Sequence, residues 1–344
     1  MNRWTDGQLD IRRTDKQTGQ TGFCDWPDKV CSIHRGHCWG YTEDIAEEID
    51  SFSINQHLYA DDTQLQSHLS IADVHDGRLN IEECVSSIKD WCSSRRLQLN
   101  ADKTEIIWFG SKTKLKKLDP AELSLCLGST TIEHVISVRN LGVYMDNEMN
   151  LHIHIGKICS ACYFHLRRLR QLRHIVSKAT IQRLVSAFIL SRLNYCNSVL
   201  DGLSAATLAP MQRVMNAAVR LVAGLHMRDH LTPAMRSLHW LPIKFRIRYK
   251  LCILMHAAVN NRSAEYINKL LVPVSTLPER DRLRSSTSGA FVVPVTKTQF
   301  GRRAFSVTGP AAWNELPTKL RCITDIDHFK CALKADLFSA AYVN

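Results

Sequence analysis

The chain has 344 residues, 45% of them hydrophobic, and a formal net charge of +11 at neutral pH. That length leaves room for two or three domains with cores of their own, and no stretch approaches the roughly 20 uninterrupted apolar residues of a membrane span. The start, Met1-Asn2-Arg3-Trp4-Thr5-Asp6, lacks the apolar segment of a secretory signal, and twelve scattered cysteines suit reduced thiols better than a disulfide framework. The expectation is an intracellular chain, nuclear or cytoplasmic, with no membrane partner.

Residues 1–50 are polar, rich in Thr, Gln and Asp, and poorly periodic. They are expected to form a divergent segment without stable structure. Cys24, Cys31, His34, His37 and Cys38 fall within it, and thiolate with imidazole suits zinc. No Cys-x₂-Cys pair opens the group, so zinc is the weaker reading. Next, Ile54 to Tyr59 and Thr63 to Leu69 have strand composition, with Asp61-Asp62 as the link of a hairpin. Adjacent carboxylates repel each other. Mg²⁺ removes that cost, because it takes hard oxygen ligands from one or two carboxylates plus substrate phosphates. Two such ions can clamp the attacking and leaving oxygens of a phosphoryl transfer. Asp76 to Ser93 then reads as an amphipathic helix with Leu79, Val85, Ile88 and Cys92 on one face. Trp91, Leu97, Leu99, Asn100 and Lys103-Thr104 follow, then a strand over Glu105 to Phe109, and later Val138-Arg139-Asn140-Leu141-Gly142-Val143.

Taken in order, these residues resemble the reverse transcriptases of non-LTR (LINE-type) retrotransposons. Tyr59-Ala60-Asp61-Asp62 is similar to the family's active-site hairpin. Trp91 to Thr104 is similar to its helix-to-strand motif, and Val138 to Val143 to its primer grip. The resemblance implies a palm in which Asp61 and Asp62 hold Mg²⁺ and Lys103 lies near the incoming nucleotide. It also implies that Tyr59, Leu141 and Gly142 contact nucleotide or primer.

Positive charge is concentrated after these motifs. Residues 157–250 carry sixteen Lys and Arg against Asp201 and Asp229 alone. Helical spacing is expected over Asn150 to Gln171, over Ala179 to Val199 with Leu184, Phe188 and Leu193 facing inward, and over Leu208 to Val222. Arg167, Arg168, Arg170, Arg173 and Arg183 punctuate the first two. Arginine forks onto phosphate oxygens, and such a cation excess favours a polyanionic partner. In the resembling family this segment is the thumb, which holds the template–primer duplex. Cys159-x₂-Cys162 falls on an apolar helix face and reads as core. The pair His152 and His154 has strand-like spacing and receives no chemistry.

Another helix is expected from about Ile243 to Val259. Residues 272–289, with Arg280, Asp281, Arg282 and Arg284, read as a linker. The remainder, with Phe291 to Val295, Gly309-Pro310-x-x-Trp313-Asn314-x-Leu316-Pro317 and a helix over Asp327 to Ala340, is expected to form a small unit of short strands and a helix. There Trp313 would cap a core and the prolines would set turns. The whole reads as an α+β chain: a segment 1–50, a partial palm 51–149, a helical basic region 150–271, the linker, and a C-terminal extension 290–344.

The resembling enzymes also require a third carboxylate from an earlier strand, and a fingers region. Residues 1–50 do not resemble either. Asp25 or Asp44 is a conceivable third acid, with nothing in favour of either. The expectation is therefore a fragment of an RNA-directed DNA polymerase, inactive alone. The alternative is a non-enzymatic nucleic-acid-binding protein that uses the basic helices.

Overall fold

Alternating strands with one apolar face build the first layer. In the computed structural model, which describes residues 6–11, 43–59, 62–276 and 289–342, β1 (Asp6–Ile11), β2 (Asn55–Tyr59), β3 (Asp62–His68) and β4 (Glu105–Trp108) form one sheet in the order β2-β3-β1-β4. Every neighbouring pair is antiparallel. The architecture is α+β, in two units, Met1–Asn150 and Leu151–Asn344.

Leu65 and Ile106 are each in register with Leu9, so both sit on one face of the sheet. Both are buried there against helices α1 (Glu43–Asp50) and α2 (Val74–Ser94). In α2 the residues Ile81, Cys84, Val85, Ile88 and Cys92 recur at helical spacing and are all buried. Burying each aliphatic side chain is worth about 1.5–3 kcal/mol. After β4 come α3 (Lys112–Leu115) and two small ribbons, β5 (Leu125–Leu127) with β6 (Thr130–Ile132) and β7 (Ser137–Asn140) with β8 (Val143–Asp146). Leu141 and Gly142 join the second ribbon with φ of 43° and 85°. Positive φ at both link positions is what a tight twisted hairpin demands, and glycine makes the second free of strain.

The segment 1–50, read from sequence as poorly periodic, contains β1 and α1. The hairpin link also moves by one residue. Tyr59 pairs with Asp62, so the two-residue link is Ala60-Asp61 and Asp62 opens β3.

The second unit is helical: α4 (His152–Leu172), α5 (Lys178–Val185), α6 (Ser191–Asn194), α7 (Ala205–Ala223), α8 (Thr232–Ser237), α9 (Ile243–Val259), α10 (Glu265–Lys269), α11 (Phe305–Asn314), α12 (Thr318–Arg321) and α13 (Ile326–Tyr342). Ser177 and Ser204 accept the Thr180 and Thr207 backbone N–H groups at 3.1 Å and so cap α5 and α7. Helix α9 is buried along two faces. Ile243 and Ile247 join a core with α4, α5 and α7, whereas Leu251, Cys252 and Met255 join a second core with α11–α13.

Three expectations change here. No strand forms among the described residues 289–342; the extension is helical, with one isolated bridge between Pro273 and Phe291. Pro310 lies inside α11 and does not set a turn. His152 and His154 lie in the first turn of α4, inside the helix expected over Asn150 to Gln171. The expected helix over 179–199 is broken, with a wide π turn over Ser186–Leu190 between α5 and α6 and a 3₁₀ turn over Asn197–Leu200. Trp313 is buried as expected, against Phe329 and His256.

Candidate functional site

The face of the sheet opposite α1 and α2 is the chemically distinctive one. Antiparallel register sets His57, Gln64, Asp10 and Glu105 in one row across β2, β3, β1 and β4. Tyr59 and Asp62 form the next row toward the hairpin tip, on the same face by strand alternation. Tyr59 is 60% exposed and Asp62 is half-buried. Asp61 and Ala60 lie outside the described residues, as does the cysteine–histidine group of residues 24–38. Lys103 is exposed in the turn that leads into β4, and β4 runs in the same direction as β3, so Lys103 is at the same end of the sheet as the hairpin tip. Asn100 starts that turn by accepting the Asp102 N–H at 3.0 Å.

The ribbon β7–β8 is tied to this face by an amide pair. The Gln64 side-chain amide donates to Asn140 Oδ1 at 2.6 Å, and the Asn140 amide donates back to Gln64 Oε1 at 3.1 Å. Gln64 is only 3% exposed, so this reciprocal pair satisfies a polar group that burial would otherwise penalise. Leu141 and Gly142 follow directly, which brings the expected primer-contact turn and the strand of Asp62 into one assembly. Arg139 lies over the Tyr144 ring at 5.7 Å in the same ribbon.

Asp44 is removed from consideration as a third acid. It sits on α1, in the helical layer behind the sheet, in an ion pair with Arg95. Asp25 lies outside the described residues. In strand β1 the backbone of Asp10 is in register with Gln64. Among the described residues no group of three or more His, Cys, Asp and Glu is arranged as a metal cage.

The arginines belong to the second unit. Arg167, Arg168, Arg170, Arg173 and Arg183 are all outward-facing on their helices, and Arg173 is nevertheless a packing residue. Its Nε donates to the Leu221 carbonyl at 2.9 Å and so ties off the end of α7. Arg168 lies over the Phe164 ring at 5.6 Å. Arg167, Arg170 and Arg183 project to solvent without a protein partner among the described residues. Burial holds the Cys162 thiol up to about 12 and raises that of Cys159, so both are inert core groups.

Sequence reading missed three features. The Gln64–Asn140 pair joins residues far apart in the chain, and neither amide carries a motif. Strand β1 is polar and has no hydrophobic run of its own. Phe188, expected to face inward, is 37% exposed, because the π turn rotates it out of the core. Among the described residues no helix is long and apolar enough to cross a membrane. Comparison with known proteins finds no matching family model, no similar curated protein and no similar solved structure.

Proposed function

We propose that this chain derives from an RNA-directed DNA polymerase and acts by binding nucleic acid, with a metal site that does not complete polymerisation by itself. The observation that carries the reading is the hairpin end of the sheet. There Tyr59 and Asp62 pair across the strands, Asp61 lies in the link, and Lys103 enters at the same end. Support comes from the Gln64–Asn140 pair, which ties the Leu141-Gly142 turn to the strand of Asp62.

The donor chemistry fits Mg²⁺. Asp61 and Asp62 would be its ligands. Bound there, the ion would supply charge neutralisation for a phosphate group. The side chains of the chain do the rest: Lys103 offers a cation to a nucleotide phosphate, and the exposed arginines of the second unit offer sequence-independent affinity. Two carboxylates suit a single ion; a clamp on both reacting oxygens needs two.

The test has two arms. Fluorescence anisotropy with a labelled RNA–DNA hybrid is expected to show binding that weakens steeply with salt. Replacing Arg167, Arg170 and Arg183 with Ala should lower the log–log salt slope by about one for each phosphate that no longer pairs with a cation. Primer extension with Mg²⁺ and deoxynucleotides is expected to give no product. Absent or salt-independent binding overturns the binding claim. Incorporation that disappears in Asp62→Asn overturns the claim that polymerisation is incomplete.

A further inference from the structure

The π turn over Ser186–Leu190 reshapes the surface beside α4. Ile181, Val185, Ile189 and Leu193 are buried at unbroken steps of four. A regular helix alternates steps of three and four, and would bring Phe188 inward. The wider turn releases Phe188 to the outside. Its ring then stacks on His165 of α4, with centroids 5.1 Å apart and planes 15° from parallel. His165 in turn meets Phe164 edge-on at 5.4 Å. Phe164 is 47% exposed and carries the Arg168 guanidinium over its ring at 5.6 Å. Arg192 borders the other side and donates to the Phe188 carbonyl at 2.8 Å. Burial, then the positive charges of Arg192 and Arg168, lower the proton affinity of the His165 imidazole.

Exposed aromatic rings and interleaved cations, in a stretch of sixteen basic residues and two acids, are the two components of a single-strand binding platform. π turns inside helices are frequent at functional sites. We propose that Phe164, His165 and Phe188, bordered by Arg168 and Arg192, form a stacking platform for the unpaired bases of a single-stranded nucleic acid. This rests on the nucleic-acid-binding reading above and adds to it a specific strand state. A duplex offers phosphates to the arginines but keeps its base faces covered, so the rings discriminate between the two.

The full chain should be titrated, by fluorescence anisotropy, with a labelled single-stranded oligonucleotide and with a blunt duplex of equal length. Phe164→Ala and Phe188→Ala are each expected to weaken single-strand binding about tenfold or more, with the salt slope unchanged and duplex affinity within about twofold. Phe164→Trp should retain single-strand affinity, and Ile175→Ala, at an exposed apolar residue away from the rings, should change nothing. Phe164 protrudes from α4, so its variant keeps the test valid if Phe188→Ala folds poorly. Equal losses on both probes overturn the platform, as does no loss on either. Wild-type binding that survives both Phe variants refutes stacking and leaves the nucleic-acid reading intact; no wild-type binding refutes both. A Phe164→Ala chain that loses only its attachment to anionic phospholipid vesicles identifies the patch as a membrane contact and overturns the proposal.

Discussion

Asn140→Ala isolates the contact that holds the β7–β8 ribbon against the sheet. The substitution removes both amide hydrogen bonds, at 2.6 and 3.1 Å, and leaves Gln64 in place at 3% exposure. Two such bonds contribute about 1 kcal/mol each. A buried amide left without a partner adds a desolvation penalty of about 1–3 kcal/mol, offset in part by any water that enters. The expected cost is about 2–4 kcal/mol. Amide hydrogen exchange along a urea series reads it in β3 and β7 directly, which avoids mixing the unfolding of two units. The paired substitution Gln64→Leu with Asn140→Leu removes both polar groups together and should cost clearly less than the sum of the single changes. A cost below about 0.5 kcal/mol for Asn140→Ala, or strict additivity in the cycle, would falsify the claim that this pair positions the ribbon.

Three further outcomes follow from local physics. His256 is buried against Phe329 at 4.2 Å, and burial lowers its affinity for a proton. Its folded value is thus below the ordinary 6.5, the unfolded chain binds more protons in that window, and its contribution to stability is present above 6.5 and lost as pH falls below it. Urea melts at neutral and mildly acidic pH should show His256→Gln with a smaller acid loss than wild type; an equal loss would assign the effect to other groups. Gly224 closes α7 at φ +74°, with the Arg173 guanidinium already filling the space of a Cβ, so Gly224→Ala should cost about 1–2 kcal/mol in thermal or urea unfolding. Gly156 is exposed inside α4 with open space around it, and Gly156→Ala should stabilise by about 0.5–1 kcal/mol; destabilisation would contradict the geometry of that face.

How far the sequence was legible depends on whether a feature is local. Helix α9 runs over Ile243–Val259, the span its apolar spacing predicts, and α2 contains the expected Asp76 to Ser93. Both are long and strongly patterned, so periodicity carries them. Strand β1 has no such signature: Asp6-Gly7-Gln8-Leu9-Asp10-Ile11 becomes a strand because β3 and β4 both pair with it, and strand preference is mostly context. The hairpin slipped by one residue for a similar reason. Asp-Asp suits a turn by composition, yet cross-strand pairing of Tyr59 with Asp62 sets the link at Ala60-Asp61. Phe188 failed differently. Its spacing from Ile181 and Leu184 is correct for a regular helix, and a single extra residue in the π turn cancels that phase.

Charge distribution bears on how the proposed chemistry could operate. Residues 51–156 carry ten basic and fourteen acidic side chains, so the unit that holds Asp62 is itself repulsive to a polyanion. Residues 157–250 reverse that sign sixteen to two. On the proposed reading, nucleic acid binds the basic helices of the second unit, and nucleotide binding at the acidic sheet end of the first unit depends on a divalent cation. Capture and cation dependence are separable in experiment. Binding to the basic helices should persist in chelator, whereas any protection of the Tyr59–Asp62 hairpin by added nucleotide in hydrogen exchange should require Mg²⁺. Protection that persists without the metal would mean that Lys103 and its neighbours hold the phosphate alone, and that the two aspartates no longer have a part in it.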